Sequence, residues 1–347
     1  HHLAYIKPIF RQEDWIQYKA VNEKFAEVIL KEIKNMEKPI ILIQEHDFGL
    51  LPKIIKDQRP DAMVHYFWHI PWANAEAFSS CPWKKEILEG MLGADLIGFH
   101  TQLHCNNFID SVGRELEALI DFERFTVTKN GHISLIKPFP ASISFTGGTK
   151  ANTEEIDKKI HKYIFEELKV KSKYIGISVD RFDASKGLME KIRSIEIFLK
   201  KFPEYLQQMT FIQLCPPLNI NRGNDFEDFS KTLEREIERI NNLFKSNGWQ
   251  PIILLNKQYT HQELEAFYRL ANFCLITSLS DGMNLVSKEF VAARNKEDGT
   301  LILSQFAGAS KELKDALIIN PFDTEQVAKM IHAALTMPPS EQTKRMK

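Results

Sequence analysis

Short apolar runs alternating with helical periodicity constrain this chain more than any other feature. In its second half, runs at Tyr174–Val179, Thr210–Leu214, Ile252–Asn256, Phe273–Thr277, Thr300–Ser304 and Ala316–Ile319 are separated by amphipathic stretches near Lys186–Lys201, Phe226–Phe244, Gln262–Leu270, Leu285–Arg294 and Thr324–Thr336. Parallel neighbours need a crossover and a helix supplies one, so the pattern predicts βαβ units and a complete doubly wound sheet. In the first half, runs at Ile40–Gln44, Met63–Trp68 and Leu96–Phe99 alternate with helices near Leu50–Asp57, Trp83–Leu92 and Thr101–Leu119. Asn130-Gly131, between Phe125–Lys129 and His132–Ile136, predicts a hairpin. An opening helix over Glu13–Lys34 places Trp15, Tyr18, Val21, Phe25, Val28 and Ile29 three or four apart as its apolar face. Three or four strands and no glycine-rich first turn make this half read as an incomplete domain. The fold class is therefore α/β, with a complete doubly wound parallel sheet in the second half and βαβ units of a partial domain in the first. The Gly/Thr/Asn-rich stretch Thr146–Thr153 predicts the boundary, dividing the chain into 1–148 and 149–347.

Charge excludes several partners. With 45 basic against 46 acidic side chains in 347 residues, no global field draws the chain to nucleic acid or anionic lipid. Any polyanion must be gripped locally. No apolar run approaches the roughly 18 residues of a membrane span. The four cysteines, Cys81, Cys105, Cys215 and Cys274, lie too far apart for a C-x-x-C motif, and they suit a reducing cytoplasmic setting better than a disulfide scaffold.

Open parallel sheets bind ligands at the carboxyl ends of their strands, so unusual residues there are the first candidates. Val179-Asp180-Arg181-Phe182-Asp183-Ala184-Ser185-Lys186-Gly187 runs from a strand toward a helix with two cations five residues apart. A planar guanidinium and a compact ammonium suit a pyrophosphate; the alternative is a pair of solvated surface charges. After another strand, Thr277-Ser278-Leu279-Ser280-Asp281-Gly282-Met283-Asn284-Leu285-Val286-Ser287-Lys288-Glu289 enters a helix whose first amides face an anion. Asp281 and Glu289, eight apart, suit the hydroxyls of a sugar and a ribose, or are an N-cap and a solvent carboxylate. Ser304-Gln305-Phe306-Ala307-Gly308 reads by itself as an ordinary turn. In the first half, His69 ends a buried strand between aromatics, and Gln44-Glu45-His46-Asp47 gathers polar groups at another strand end. In an extended strand His46 would point to the face opposite Glu45 and Asp47, so no metal site is expected there.

Together these blocks resemble the trehalose-6-phosphate synthase family, glycosyltransferase family 20. The likeness covers nearly the whole chain, through Trp68-His69-Ile70-Pro71-Trp72, Gly98-Phe99-His100-Thr101, Arg181-Phe182-Asp183 with Ser185-Lys186-Gly187, Asp281-Gly282-Met283-Asn284-Leu285-Val286 with Lys288-Glu289, Ser304-Gln305-Phe306-Ala307-Gly308-Ala309 and Asn320-Pro321-Phe322-Asp323. The resemblance implies a GT-B fold, two Rossmann-like, doubly wound parallel-sheet domains facing a cleft, and a retaining transferase. It would move glucose from a nucleotide-glucose, UDP-glucose being expected, to a phosphorylated sugar or polyol. With glucose 6-phosphate as acceptor the product would be trehalose 6-phosphate. It further implies that Arg181 and Lys186 hold the diphosphate, capped by backbone of Gly282, Met283, Asn284, Leu285 and Val286. Glu289 would take the ribose, Asp281 the transferred glucose and His69 its outer hydroxyls. No metal or other cofactor is implied.

Two departures fall on the acceptor side. Where the family shows His-Asp-Tyr-His, this chain has Gln44-Glu45-His46-Asp47, which leaves Glu45 as the carboxylate and His46 in place of the tyrosine. Where the family shows Pro-Ser-Arg, this chain has Pro217-Leu218-Asn219, with Arg222 as the substitute cation. Family chains also begin with strands and a glycine-rich loop that the first residues here do not show, consistent with a fragment or a lost subdomain. The competing reading is a non-catalytic nucleotide-sugar-binding subunit, and homo-oligomers fit either one.

Overall fold

The computed structural model describes residues 8–144, 153–217 and 224–347. The chain divides into two compact units, His1–Ala141 and Ser142–Lys347. Of the expected boundary stretch Thr146–Thr153, residues 146–152 lie outside the described residues, as do Leu218, Asn219 and Arg222.

Unit 1 runs α1 (Gln12–Glu32), β1 (Ile40–Gln44), α2 (Leu51–Gln58), β2 (Met63–Phe67), α3 (Ala75–Phe78), α4 (Lys84–Met91), β3 (Leu96–Phe99), α5 (Gln102–Glu115), β4 (Leu119–Asp121), β5 (Thr126–Lys129) and β6 (His132–Pro138). The expectation of three or four strands is too low, because six form one sheet in the order β1-β2-β3-β6-β5-β4. The extra strand β4 arises where a longer helix was expected. α5 stops at Glu115, and Leu119–Asp121 pairs antiparallel with β5 instead of extending the helix. One sheet face is covered by α4 and α5, packing Val64, Tyr66, Ile97 and Phe99 against Leu88, Met91, Phe108 and Val112. On the other face Ile40, Leu42, Met63 and Ile133 are exposed.

Of the predicted face of α1, Trp15 is buried and Tyr18 and Ile29 are half-buried, but the helix is turned away from the rest of it. Trp15, Asn22 and Ala26 are buried, whereas Val21, Phe25 and Val28 are 42%, 47% and 57% exposed. Polar anchoring sets this rotation. Asn22 Nδ2 donates to the carbonyls of Tyr18 (2.8 Å) and Asp47 (2.9 Å), and its Oδ1 accepts from Leu50 N (3.2 Å). The Tyr18 hydroxyl donates to His46 O and accepts from Gly49 N, both at 2.8 Å. Leaving these buried groups unpaired would cost about 1–3 kcal/mol each, comparable with burying one apolar side chain, so the helix turns to satisfy them.

Unit 2 runs α6 (Thr153–Lys162), β7 (Tyr174–Val179), α7 (Leu188–Lys201), β8 (Met209–Leu214), α8 (Asn224–Phe244), β9 (Ile252–Leu255), α9 (His261–Leu270), β10 (Phe273–Ile276), α10 (Leu285–Ala293), β11 (Thr300–Ser304), β12 (Leu317–Ile319), α11 (Thr324–Thr336) and α12 (Pro339–Met346). All six strands pair in parallel in the order β12-β11-β10-β7-β8-β9, the doubly wound topology that the alternation predicts. α7, α8 and α11 bury Ile192, Ile195, Phe198, Leu233, Ile237, Val327 and Ile331 against Phe211, Phe273 and Ile302 of the sheet. Strand order reverses between β7 and β10, and a ligand crevice forms outside the carboxyl ends at such a point.

Candidate functional site

Three loops meet at that reversal. The loop after β7 carries Arg181 and Lys186, the loop after β10 carries Asp281 to Asn284, and the loop after β11 carries Ala307 and Gly308. The first does not run straight into α7. Ala184–Lys186 form a single 3₁₀ turn, Asp183 accepts from Ser185 N (2.9 Å), and Gly187 follows in the left-handed conformation at φ 63°. A Cβ on Gly187 would lie 2.1 Å from Thr277 O, so only glycine lets the loops approach this closely. Leu279 N donates to Ser185 O (2.7 Å) and the Thr277 hydroxyl to Gly187 O (3.0 Å), tying the first two loops together.

The third loop is knit in the same way. Asp281 N donates to Phe306 O (3.2 Å), Gly308 N to Asp281 O (3.1 Å) and Ala309 N to Met283 O (2.8 Å). A Cβ on Gly308 would come within 2.1 Å of Gly282 O. The segment that reads as an ordinary turn is therefore a strut of the site.

Lys186 and Asp281 form the centre. Lys186 Nζ lies 2.6 Å from Asp281 Oδ2, with side-chain exposures of 16% and 11%. Ser278 Oγ (3.2 Å) and Asn284 Nδ2 (3.1 Å) donate to the same oxygen. Burial alone would raise the Asp281 pKa, but the charge of Lys186 and the hydrogen bonds from Lys186, Asn284 and Ser278 outweigh it and hold the carboxyl below the usual range. Asn284, at φ 72°, caps α10 through Ser287 N (3.0 Å), leaving the Leu285 and Val286 amides in the first turn, without intrahelical acceptors. Arg181 is exposed and makes no hydrogen bond or ion pair among the described residues. Just before it, Asp180 is buried and accepts from Lys191 Nζ (2.5 Å), Ser178 Oγ (2.6 Å) and Gln213 Nε2 (3.2 Å), which fixes the base of the loop. Glu289, in α10, is partly exposed and accepts from the buried Tyr268 hydroxyl at 3.1 Å.

The remaining candidates belong to unit 1. His69 Nε2 is 3.0 Å from Gln44 Oε1, and its ring lies 5.5 Å from that of His100. Glu45, at φ 76°, and Asp47 flank His46, 3.9 and 3.6 Å from its Nδ1 and Nε2. A cavity of about 430 Å³ opens beside them, walled by Trp15, Tyr18, Trp68, Trp72 and Trp83 and edged by Arg11, Asp14, His46 and Asp47. Asp47 lines this space and Glu45 does not, so Asp47 is a carboxylate that the sequence reading passed over. No group of three His, Cys, Asp or Glu among the described residues is placed to hold a metal, and no described helix is long and apolar enough to cross a membrane.

The profile of Glycosyltransferase family 20 matches residues 1–347. An alpha,alpha-trehalose-phosphate synthase [UDP-forming] of Schizosaccharomyces pombe is 33% identical over 333 residues, which are 95% of this chain and 64% of that one. Another, from Dictyostelium discoideum, is 36% identical and covered over 44% of its length, so the chain spans less than two thirds of both relatives. Among solved structures, a Burkholderia xenovorans synthase in complex with glucose-6-phosphate matches with TM-score 0.89 and 29% identity over 97% of this chain and 74% of that one. An E. coli structure bound with UDP-2-fluoro glucose matches with TM-score 0.87 and 30% identity, again over 97% and 74%.

Proposed function

Since the chain belongs to glycosyltransferase family 20, we propose that it forms the catalytic core of a retaining transferase that moves glucose from UDP-glucose to a phosphorylated sugar. Glucose 6-phosphate is the favoured acceptor and trehalose 6-phosphate the product. The observation that carries this reading is the convergence of Lys186, Asp281, the α10 amides and an uncommitted Arg181 at the strand-order reversal of unit 2.

In this reading the diphosphate lies on Arg181, Lys186 and the Leu285 and Val286 amides. Negative charge develops on the departing nucleoside diphosphate, and fixed cations and amides stabilise it more in the transition state than in the ground state. Lys186 serves two partners at once. An ammonium has three protons, and Asp281 takes one of them, leaving two for phosphate oxygens. Asp281 takes hydroxyls of the transferred glucose, with its lone pairs aimed by Lys186, Ser278 and Asn284. Glu289 binds the ribose hydroxyls. His69, Glu45 and His46 serve the sugar and acceptor, with Asp47 added as the cavity carboxylate; Arg222 remains the proposed phosphate partner on the acceptor. Attack comes from the face the leaving group vacates, with the departing phosphate oxygen accepting the acceptor's proton, so a second enzymic carboxylate is not required.

Single-turnover and steady-state assays with UDP-glucose and glucose 6-phosphate, set beside UDP calorimetry, test the proposal. Release of UDP coupled to trehalose 6-phosphate is the expected result. Tight UDP binding without turnover on any phosphorylated sugar would replace it with the binding-subunit reading.

A further inference from the structure

Glu289 does not stand alone. Its Oε2 accepts from the hydroxyl of Tyr268, which lies one helix earlier, on α9, and is fully buried. The phenol is held at both ends of its residue. Its ring meets Phe290 edge to face at 6.2 Å, and its carbonyl accepts from Arg294 Nη1 at 2.6 Å. The same guanidinium nitrogen also takes the carbonyls of Arg269 (2.7 Å) and Ala271 (2.9 Å), clamping the end of α9 from α10's side. Arg294 is itself fixed by Asp298 at 2.7 Å. The donor that reaches Glu289 is therefore on a rigid mount, and Glu289 Oε1 makes no hydrogen bond among the described residues.

The geometry points to Tyr268 as a positioning residue for nucleotide recognition, holding the Glu289 carboxylate in one rotamer so that its free oxygen and remaining lone pairs meet the vicinal hydroxyls of a ribose. This rests on the reading of Glu289 as the ribose carboxylate. A flexible glutamate would lose rotamer entropy each time a nucleotide bound, and a fixed phenol removes that cost in advance. Oε1 and the lone pair that the phenol leaves open on Oε2 still offer two acceptors, so the carboxylate takes both hydroxyls of a cis-diol. The consequence is selectivity for ribose over its deoxygenated forms, rather than general anion affinity.

Calorimetry on the full chain with UDP and with 2′,3′-dideoxy-UDP tests this in Tyr268→Phe, Glu289→Ala and the double variant. Removing the hydroxyl should weaken UDP roughly five- to tenfold, leave dideoxy-UDP unchanged, and add nothing once Glu289 is alanine. In turnover the loss should appear in the KM for the nucleotide sugar and spare kcat. Glu289→Asp, which draws the carboxylate away from the phenol without touching the core, should lose the ribose preference as fully as Glu289→Ala. Wild-type UDP affinity in Tyr268→Phe beside a weakened Glu289→Ala would overturn the positioning role alone. So would equal losses for UDP and dideoxy-UDP, or an undiminished ribose preference in Glu289→Asp. Wild-type UDP affinity in Glu289→Ala would instead remove the ribose reading itself, and the positioning role with it.

Discussion

Arg181 and Lys186 come from one loop and look alike in sequence, yet they stand differently in the fold. Lys186 is committed to Asp281, while Arg181 is exposed and without a partner among the described residues. Arg181→Ala should therefore leave the unfolding transition in place while nucleotide-sugar turnover falls by on the order of 10²-fold, the usual cost of one transition-state donor. Unchanged turnover would remove Arg181 from the phosphate site. Asp281→Asn keeps the shape but strands the largely buried ammonium of Lys186. Denaturant unfolding should show a loss of roughly 1–3 kcal/mol, together with lost discrimination among donor sugars. Arg181, Lys186, Asp281 and Glu289 could be picked out of the sequence because they follow apolar runs into helices. Tyr268 could not, since nothing in a line of residues shows which buried hydroxyl reaches which carboxylate, and the sequence does not show that Asp47 rather than Glu45 lines the cavity.

Between elements, the site depends on how closely backbones approach. Gly187 and Gly308 each lie where a Cβ would sit 2.1 Å from a neighbouring loop's carbonyl, and Gly187 also needs a positive φ. Gly187→Ala should cost about 1–2 kcal/mol for the left-handed backbone alone and more for the clash, with UDP affinity falling alongside. Full UDP affinity in that variant, measured by calorimetry, would show that the loops can part without harm to the site. The central strands of unit 2 were legible because β8, β10 and β11 are buried on both faces and β7 nearly so, giving continuous apolar runs. The face of α1 was misread in part, for the opposite reason. Its orientation is set by Asn22 and Tyr18 reaching the loop at His46–Leu50, contacts that apolar periodicity does not record.

At the scale of the molecule, ionised carboxylates bring acid sensitivity. Bonds from Arg239 hold Glu196 and Glu236 below their usual range, Lys159 and Thr260 do the same for Glu263, and Asp281 is lowered by Lys186 and its neighbours against the effect of burial. Each depressed group contributes stability that is fully present above its ordinary value, 4.5 for the glutamates and 3.8 for the aspartate, and is lost as pH falls through its folded value. Burial lowers His104 from 6.5 to about 4, so the unfolded chain takes up a proton there that the native state does not, and unfolding free energy should begin to decline as pH falls through about 6.5 and fall more steeply below about 4.5, read from guanidinium titrations at each pH. A flat profile down to pH 3 would mean that these pairs do not differ between folded and unfolded chains. The sequence by itself determined two α/β units, the strand order's likeness to a doubly wound sheet and the residues that crown its carboxyl edge, because burial periodicity and loop chemistry are local. Only the tertiary structure decided the six-stranded first sheet, the rotation of α1, the Lys186–Asp281 pair and the mount beneath Glu289. Those depend on which distant groups must satisfy one another once water has been excluded.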